Sequence, residues 1–255
     1  WINHQQILSY GDSGTGLDVN QMQYPCVIKD GNSYKLWYSG RDVGGTDRII
    51  HCESTNGINW TNFQLSIDVG SEGTWDTFAV YPGSCIKEAG IYKMWYFASD
   101  GGTLRIIYCE SSNGINFSNF QMVVNIGLEG TYDTIDVNAP SVIIDGSIYK
   151  MWYQGNNGVN QRILYCESND GINWSNFQMV VDISSQGAYD GTGTMNPTVI
   201  KDGSIYKMWY GGWDGTNGRV LYCESPNGIN WSNFQLAVNI GSQGTYDTNY
   251  AFSPS

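Results

Sequence analysis

Positive charge is scarce in this chain of 255 residues, which has 12 Lys plus Arg against 24 Asp plus Glu and a formal net charge of -12. Nucleic acids and anionic membranes are bound through clustered Lys and Arg, so we expect neither as a partner. No apolar run approaches the roughly 18 residues of a membrane span, and none is expected. Histidine is limited to His4 and His51 and no Cys-x-x-Cys pair occurs. We therefore predict no metal site and no cofactor.

The six cysteines lack the spacing of a disulfide framework. Four of them occupy one position of an internal repeat, namely Cys52, Cys109, Cys166 and Cys223. Cys26 and Cys85 are interpreted as sharing a second position. Equivalent positions of stacked sheets lie about 10 Å apart, which is too far for a disulfide. We predict six small, buried residues with free thiols.

The chain repeats itself with a period of 57 residues. The turn Asn-Gly-Ile-Asn, or Asp-Gly-Ile-Asn in the third copy, places its glycine at Gly57, Gly114, Gly171 and Gly228. The run Tyr-Lys-Met-Trp-Tyr, or a close variant, recurs around Trp37, Trp95, Trp152 and Trp209. A fixed period of this length indicates a repeat architecture.

Each repeat contains four strand-like runs, which in the third copy cover residues 140–144, 149–153, 162–168 and 177–181. The turn pairs Asp145-Gly146 and Asp170-Gly171 provide the positive φ that hairpins favour. Four antiparallel strands per repeat predict an all-β fold, a β-propeller built from four-stranded blades.

Four complete repeats predict blades over 25–81, 82–139, 140–196 and 197–253 of a single propeller domain that covers 1–255. Residues 1–24 repeat only the last strand and linker of a blade, and 231–255 repeat the same piece. A closed four-bladed ring, a fragment of a longer propeller and a protomer completed by another chain all stay open, with five-bladed geometry preferred. We expect the chain ends to pair with strands, which allows a homo-oligomer or a filament.

The blade motifs resemble those of the five-bladed propellers of glycoside hydrolase families 32, 43 and 130. The similar segments are 149–153, 162–168 and 168–174, and the linker 73–76 is also similar. The resemblance implies carboxylates on the inner strands, including an Asp next to the proline that begins a blade. Here the prolines follow Tyr24, Tyr81, Ala139, Asn196 and Ser253. None of these is acidic, although glycoside hydrolysis ordinarily needs two positioned carboxyl groups.

Strand alternation places the linkers and the loops between strands 2 and 3 on one face of the repeat array, and the copies differ most there. Either this face has been tuned for a ligand or it has lost constraint, and the sequence leaves both open. If it is tuned, the ligand-binding candidates are Gln23, Arg41, Tyr81, Asp136, Asn138, Asn156, Asn196 and Trp213.

Acidic residues recur in every blade at two positions. One set is Glu53, Glu110, Glu167 and Glu224, and the other is Asp18, Asp76, Asp133, Asp190 and Asp247. We expect them to cap turns and to bond the recurrent arginines Arg48, Arg105, Arg162 and Arg219. Asp136 stands apart because it alone is an acid just before a strand-1 proline. It is the catalytic candidate.

Each repeat also carries an N-x-[ST] sequence, with its asparagine at Asn59, Asn116, Asn173 or Asn230. These residues either complete the turn or accept N-linked glycans in a secreted protein.

Three functions fit these observations. The first is a non-catalytic carbohydrate-binding or recognition propeller that is extracellular or on a virion or cell surface. The second is a self-assembling structural subunit. The third is a glycoside hydrolase or phosphorylase, which the family resemblance implies.

Overall fold

A computed structural model of the chain describes residues 6–241, and within them every regular element is a β-strand. The first two groups of four strands are β1 Gln21–Asp30, β2 Ser33–Arg41, β3 Asp47–Ser54, β4 Thr61–Ile67, β5 Ala79–Glu88, β6 Ile91–Ser99, β7 Leu104–Ser111 and β8 Ser118–Val124. The next two are β9 Asp136–Asp145, β10 Ile148–Asn156, β11 Gln161–Ser168, β12 Trp174–Val181, β13 Gly193–Asp202, β14 Ile205–Trp213, β15 Gly218–Ser225 and β16 Ser232–Val238. The all-β prediction is confirmed for this part of the chain.

Each group of four consecutive strands pairs in antiparallel order, first strand to fourth. We call these groups blades 1 to 4. A single parallel bridge between Gln161 and Gly193 links the sheets of blades 3 and 4. The prediction of four-stranded antiparallel blades is therefore confirmed, whereas a single ring and its number of blades stay predictions.

The described chain forms two compact units, which divide at the end of β8. The first unit, residues 6–123, contains blades 1 and 2, and the second, residues 124–241, contains blades 3 and 4. The predicted pairing of the chain ends involves residues 1–24 and 231–255, of which 1–5 and 242–255, with the recurrent Asp247, lie outside the described residues. Residues 6–9 have no regular secondary structure and residues 10–20 form turns and bends.

Large side chains pack between the blades of each unit. In the first unit, Trp37 of blade 1 packs with Tyr92 and Met94 of blade 2, and its indole Nε1 donates to the Gly114 carbonyl at 2.8 Å. In the second unit Trp152 of blade 3 makes the same 2.8 Å bond to the Gly228 carbonyl of blade 4. This packing explains why the strands are apolar on both faces, because the faces of neighbouring blades bury each other.

All six cysteines are buried with free thiols, as predicted. The assignment of Cys26 and Cys85 to one position is wrong. Cys26 lies opposite the blade 1 tryptophan, whereas in blade 2 Ser84 takes that place and Cys85 lies opposite Met94. A β-bulge lies near the middle of each first strand, and its two residues are Tyr24-Pro25 in blade 1 but Pro82-Gly83 in blade 2. Counted from the paired tryptophan, Cys85 therefore lies one residue further along its strand than Cys26.

The recurrent aspartates cap turns as predicted. Asp76 is fully buried, and its carboxylate accepts the Glu72 amide at 2.7 Å, the Gly73 amide at 3.0 Å and the Tyr96 hydroxyl at 3.2 Å. In blade 4 Asp190 accepts the Tyr210 hydroxyl at 3.0 Å. Such carboxylates belong to the scaffold, because each blade uses them to hold its linker.

The predicted bonds between the recurrent glutamates and arginines are wrong. Glu224 accepts from Tyr222 at 2.7 Å and from Asn233 at 2.9 Å, whereas Arg219 donates to Asp214 and lies over the Tyr189 ring. Glutamate and arginine lie at opposite ends of strand 3, five residues apart and so about 16 Å apart in an extended strand. The side chains are too short to meet.

Candidate functional site

The end of each blade where the linker enters strand 1, here the linker end, carries a row of three residues paired across strands 1, 2 and 3. The rows are Gln21-Arg41-Asp47, Ala79-Ser99-Leu104, Asp136-Asn156-Gln161 and Gly193-Trp213-Gly218. None of the three positions holds the same residue twice. The divergence seen in the sequence is therefore concentrated in three aligned positions at one end of each sheet.

In the first unit, Arg41 is held by the carboxylate of Asp47 on the neighbouring strand. Arg41 Nε lies 3.0 Å from Asp47 Oδ1, and Nη2 lies 2.7 Å from Oδ2. The Tyr81 hydroxyl of blade 2 donates to the same Oδ2 at 2.9 Å. Bonding to Asp47 raises the pKa of Arg41, and burial together with Asp47 raises that of Tyr81. The guanidinium is consequently fixed in position and always charged.

Three aromatic rings adjoin this ion pair. Tyr81 and Phe97 stack with centroids 5.0 Å apart, and Tyr24 meets them edge-on at 5.5 and 4.9 Å. Gln21 Nε2 donates to Gln23 Oε1 at 2.9 Å on the same strand. The linker end of the first unit therefore combines a fixed cation, amides and the half-buried rings of Tyr24 and Tyr81, which pack on the buried ring of Phe97.

In the second unit the linker end is rich in amides. Asn156 Nδ2 donates to Asp136 Oδ2 at 3.2 Å, and the backbone N–H of Asn196 donates to Gln154 Oε1 at 3.4 Å. Asn138 lies opposite Gln154 in the ladder, and the side chains of Asn138 and Asn196 are buried. The half-buried Asp136, Gln154 and Asn156 combine donors and acceptors, which suits a polyhydroxyl ligand.

Trp213 occupies the middle of the blade 4 row with a glycine on each side, Gly193 on strand 1 and Gly218 on strand 3. Neither neighbour has a side chain to cover the indole within the row, and Trp213 is half-buried. A Cβ at Gly193 would lie 2.9 Å from Gln161 Oε1 and 3.1 Å from Met195 Cε, so a larger residue there would displace the ends of these two flexible side chains.

The structure groups the candidates in two places. Gln23, Arg41 and Tyr81 belong to the first unit, and Asp136, Asn138, Asn156, Asn196 and Trp213 belong to the second. Sequence reasoning missed Asp47, Tyr24, Gln154 and Gln161. A signal for two of these was present, because the residue before the recurrent arginine differs in every blade and is Asp47 in the first and Gln161 in the third.

Asp136 is the only acid in the rows of blades 3 and 4, and Asp47 is the only one in those of blades 1 and 2. Asp47 is bonded to a guanidinium and is 3% exposed. Within each unit, the linker-end rows thus lack the second carboxyl group that glycoside hydrolysis ordinarily uses.

The four N-x-[ST] asparagines are all exposed. They take part in the turn in some blades: Asn173 Nδ2 donates to Asp170 Oδ2 at 2.7 Å, and the Ser175 hydroxyl donates to the Glu167 carbonyl at 3.4 Å. The main turn bonds are made by the residue three positions earlier. In blade 1 this residue is Asn56, whose Oδ1 accepts the amides of Ile58 and Asn59 at 2.9 Å each, and Ser54 Oγ accepts the Gly57 amide at 2.9 Å. The same bonds recur around Asn113, Asp170 and Asn227.

Residues 6–241 contain no group of three or more His, Cys, Asp or Glu side chains placed to hold a metal ion. No helix in the same range is long and apolar enough to cross a membrane.

No protein-family model matches the chain. Two uncharacterized proteins of Mycobacterium tuberculosis, from strains CDC 1551 / Oshkosh and ATCC 25618 / H37Rv, are each 25% identical over 221 residues. Each match covers 79% of this chain and 72% of the relative.

Solved structures share the fold at low identity. A thermostable family-43 glycoside hydrolase has a TM-score of 0.67 and 18% identity over 86% of this chain and 74% of its own. A family 117 glycoside hydrolase produced by the marine bacterium Zobellia galactanivorans has a TM-score of 0.66 and 14% identity over 90% and 72%. The β-1,2-mannobiose phosphorylase from Listeria innocua, in complex with β-1,2-mannobiose, has a TM-score of 0.65 and 11% identity over 84% and 75%. The resemblance to glycoside hydrolase propellers is thus confirmed for the fold.

Proposed function

We propose that this protein is a carbohydrate-recognition propeller whose ligand sites lie at the linker ends of the blades. The observation that carries the proposal is Trp213, an indole flanked by two glycines within the second unit. Aromatic faces beside a few placed polar groups are the usual lining of small-ligand sites. The amides of blade 3 supply the polar groups.

Recognition without catalysis is the version that the row composition favours, since Asp136 is the only acid in the two rows of the second unit. An enzyme is the alternative favoured by the hydrolase and phosphorylase structures that share the fold. Turnover of aryl α-L-arabinofuranoside, β-xyloside or β-mannoside that disappears in Asp136→Asn would establish the enzyme instead.

Calorimetry against neutral oligosaccharides of arabinose, xylose, mannose and galactose tests the binding proposal. Trp213→Ala should weaken the binding of the tightest-binding oligosaccharide on the order of tenfold, since a stacked aromatic contact contributes about 1 kcal/mol or more. Ile200→Ala is the control, because Ile200 is an exposed apolar residue of the same unit that lies near the opposite end of β13 from Gly193. Equal losses in both variants, or no binding by the wild type, would reject the proposal.

An extracellular or virion-surface location belongs to the same proposal, as does a single five-bladed propeller domain. The exposed N-x-[ST] asparagines support the location. Expression in a glycosylating host should give a mass increase that endoglycosidase removes and that Asn173→Gln reduces.

A further inference from the structure

The Asp47 carboxylate binds Arg41 side-on, through Nε and Nη2. The Tyr81 hydroxyl, which bonds Asp47 Oδ2, also lies close to the guanidinium, whereas Nη1 makes no side-chain or backbone hydrogen bond within residues 6–241. The side chain of Arg41 is 36% exposed, whereas that of Asp47 is 3% exposed. The outer Nη1–Nη2 edge of the guanidinium is therefore open, and this edge matches two acceptor oxygens.

Tyr24, whose ring contacts the Tyr81 ring that bonds Asp47, adopts a backbone conformation that suits other residues better. Its φ is +53°, in the left-handed region, and Ala139 and Asn196 hold the equivalent bulge position with φ of +49° each. Asparagine tolerates this region, but a bulky residue there is strained. Blade 1 nevertheless has a tyrosine at this position, and the Tyr24 ring contacts Tyr81 and Phe97. A residue kept at such a cost is a candidate for function rather than for stability.

We infer that the linker end of the first unit is a subsite for the carboxylate of an acidic sugar, a hexuronate, which Arg41 binds through its outer edge beside the Tyr24 ring. The inference rests on the proposed carbohydrate-recognition function and names the ligand class of a second site.

The negative charge of Asp47 does not cancel the attraction between Arg41 and the carboxylate of a ligand. Its oxygens already accept from Arg41 and from the Tyr81 hydroxyl. A carboxylate on the outer edge touches the guanidinium and has that group between itself and Asp47. Since Coulomb interactions fall with distance, attraction to the nearer charge exceeds repulsion from the farther one.

The net charge of -12 opposes general attraction of anions. Any preference for an acidic sugar over its neutral counterpart must therefore arise locally. This makes the comparison between a free acid and its ester a direct readout of the subsite.

The experiment measures binding of trigalacturonate and of its fully methyl-esterified form by calorimetry. The wild type should bind the free acid on the order of tenfold more tightly, because charge-assisted bonds are roughly twice as strong as neutral ones. Arg41→Gln should bring the ratio of the two affinities to about one. Arg41→Lys keeps the charge but loses the planar edge, so it should retain only part of the ratio. In Tyr24→Asn the asparagine tolerates the left-handed backbone, and the loss of the ring should weaken the binding of both ligands.

Equal affinity for acid and ester, or a ratio that survives in Arg41→Gln, would overturn the inference. Neutral oligosaccharides serve as the reference, because their site at Trp213 lies in the second unit. A wild type that binds neutral sugars there but shows no acid preference disproves the subsite alone. A wild type that binds neither ligand class disproves the proposed function as well.

Discussion

His51 is expected to make folding stability fall between pH 6.5 and pH 4.5, and His51→Tyr should abolish this dependence. The side chain is fully buried, and within residues 6–241 neither ring nitrogen has a hydrogen-bond partner. Its Nε2 lies 3.9 Å from Glu53 Oε1, too far for a hydrogen bond. Burial, with the charge of Lys35 as a second cause, lowers the pKa of His51 from 6.5 to about 4.

The sign follows from linkage. Because the folded pKa is the lower one, the unfolded chain binds the proton first as the pH falls below 6.5, and stability decreases until the pH reaches about 4. The difference between the two pKa values corresponds to about 3 kcal/mol over the whole interval. At pH 7 the histidine is neutral in both states and contributes no such loss.

Tyrosine fits the position, since the other blades carry Tyr108, Tyr165 and Tyr222 there. The Tyr222 hydroxyl donates to Glu224 at 2.7 Å. The ring centroids of Trp209 and Tyr222 lie 5.1 Å apart, and those of Trp37 and His51 lie 5.4 Å apart, so the two pairs pack alike. At pH 7 His51→Tyr should therefore stabilise the protein by about 1 kcal/mol, the net contribution of one hydrogen bond.

Urea unfolding at pH 7.0, 6.0, 5.0 and 4.5 measures both effects. His4 and Asp190, whose burial raises its pKa, are present in both proteins, so their titration cancels in the difference. Tyr108→His is the reciprocal control and should introduce the same loss at acid pH into blade 2. Parallel stability curves for wild type and His51→Tyr over this range would refute the reasoning.

Two further predictions concern buried polar atoms that differ between blades. Tyr210→Phe should lower the unfolding free energy by about 1–3 kcal/mol because it removes a donor from the buried Asp190 carboxylate. Tyr153→Phe should lower it by almost nothing, because the Tyr153 hydroxyl has no hydrogen-bond partner in the part of the chain that the structure describes. Thermal unfolding of both variants checks this, and equal losses would contradict it. Trp231→Phe should change the unfolding free energy by less than about 1 kcal/mol, since the buried Trp231 Nε1 has no hydrogen-bond partner among residues 6–241 and blade 2 carries Phe117 at this position. Denaturant titration measures the change, and a loss of several kcal/mol would contradict the prediction.

The existence of the strands could be predicted because the 57-residue period and the Gly-containing turns are visible in the local sequence. The residues at which the first strand of each blade begins could not be predicted. Each first strand was expected to begin at the proline, yet β1 begins at Gln21 and β9 at Asp136, four residues earlier. The proline belongs to a bulge inside the strand, and the left-handed φ of Tyr24 and Ala139 is imposed by pairing with strand 2. Neither residue type signals that conformation, so only the folded sheet reveals it.

The candidate site was predictable as a face but not as a set of contacts. Arg41 and Tyr81 were recognised by their position, whereas Asp47, which holds both, follows a loop of five residues in blade 1 and of four in the other blades. This difference in loop length obscures the equivalence of the rows. Cross-strand pairing, which sets Arg41 opposite Asp47, depends on register and could be assigned only after the ladder was known.

Repetition itself separates scaffold from site in this chain. Residues present in every copy, such as Asp76 and Asp190, direct their polar atoms to the linker and tyrosine of their own blade. Residues that occur once, such as Arg41 and Trp213, lie where the sheet ends, and the fold does not require the same group there in the other blades. Selection for stability alone explains the first class but gives no reason for a half-exposed guanidinium or for an indole between two glycines. The unrepeated linker-end residues are therefore where a ligand has to be sought.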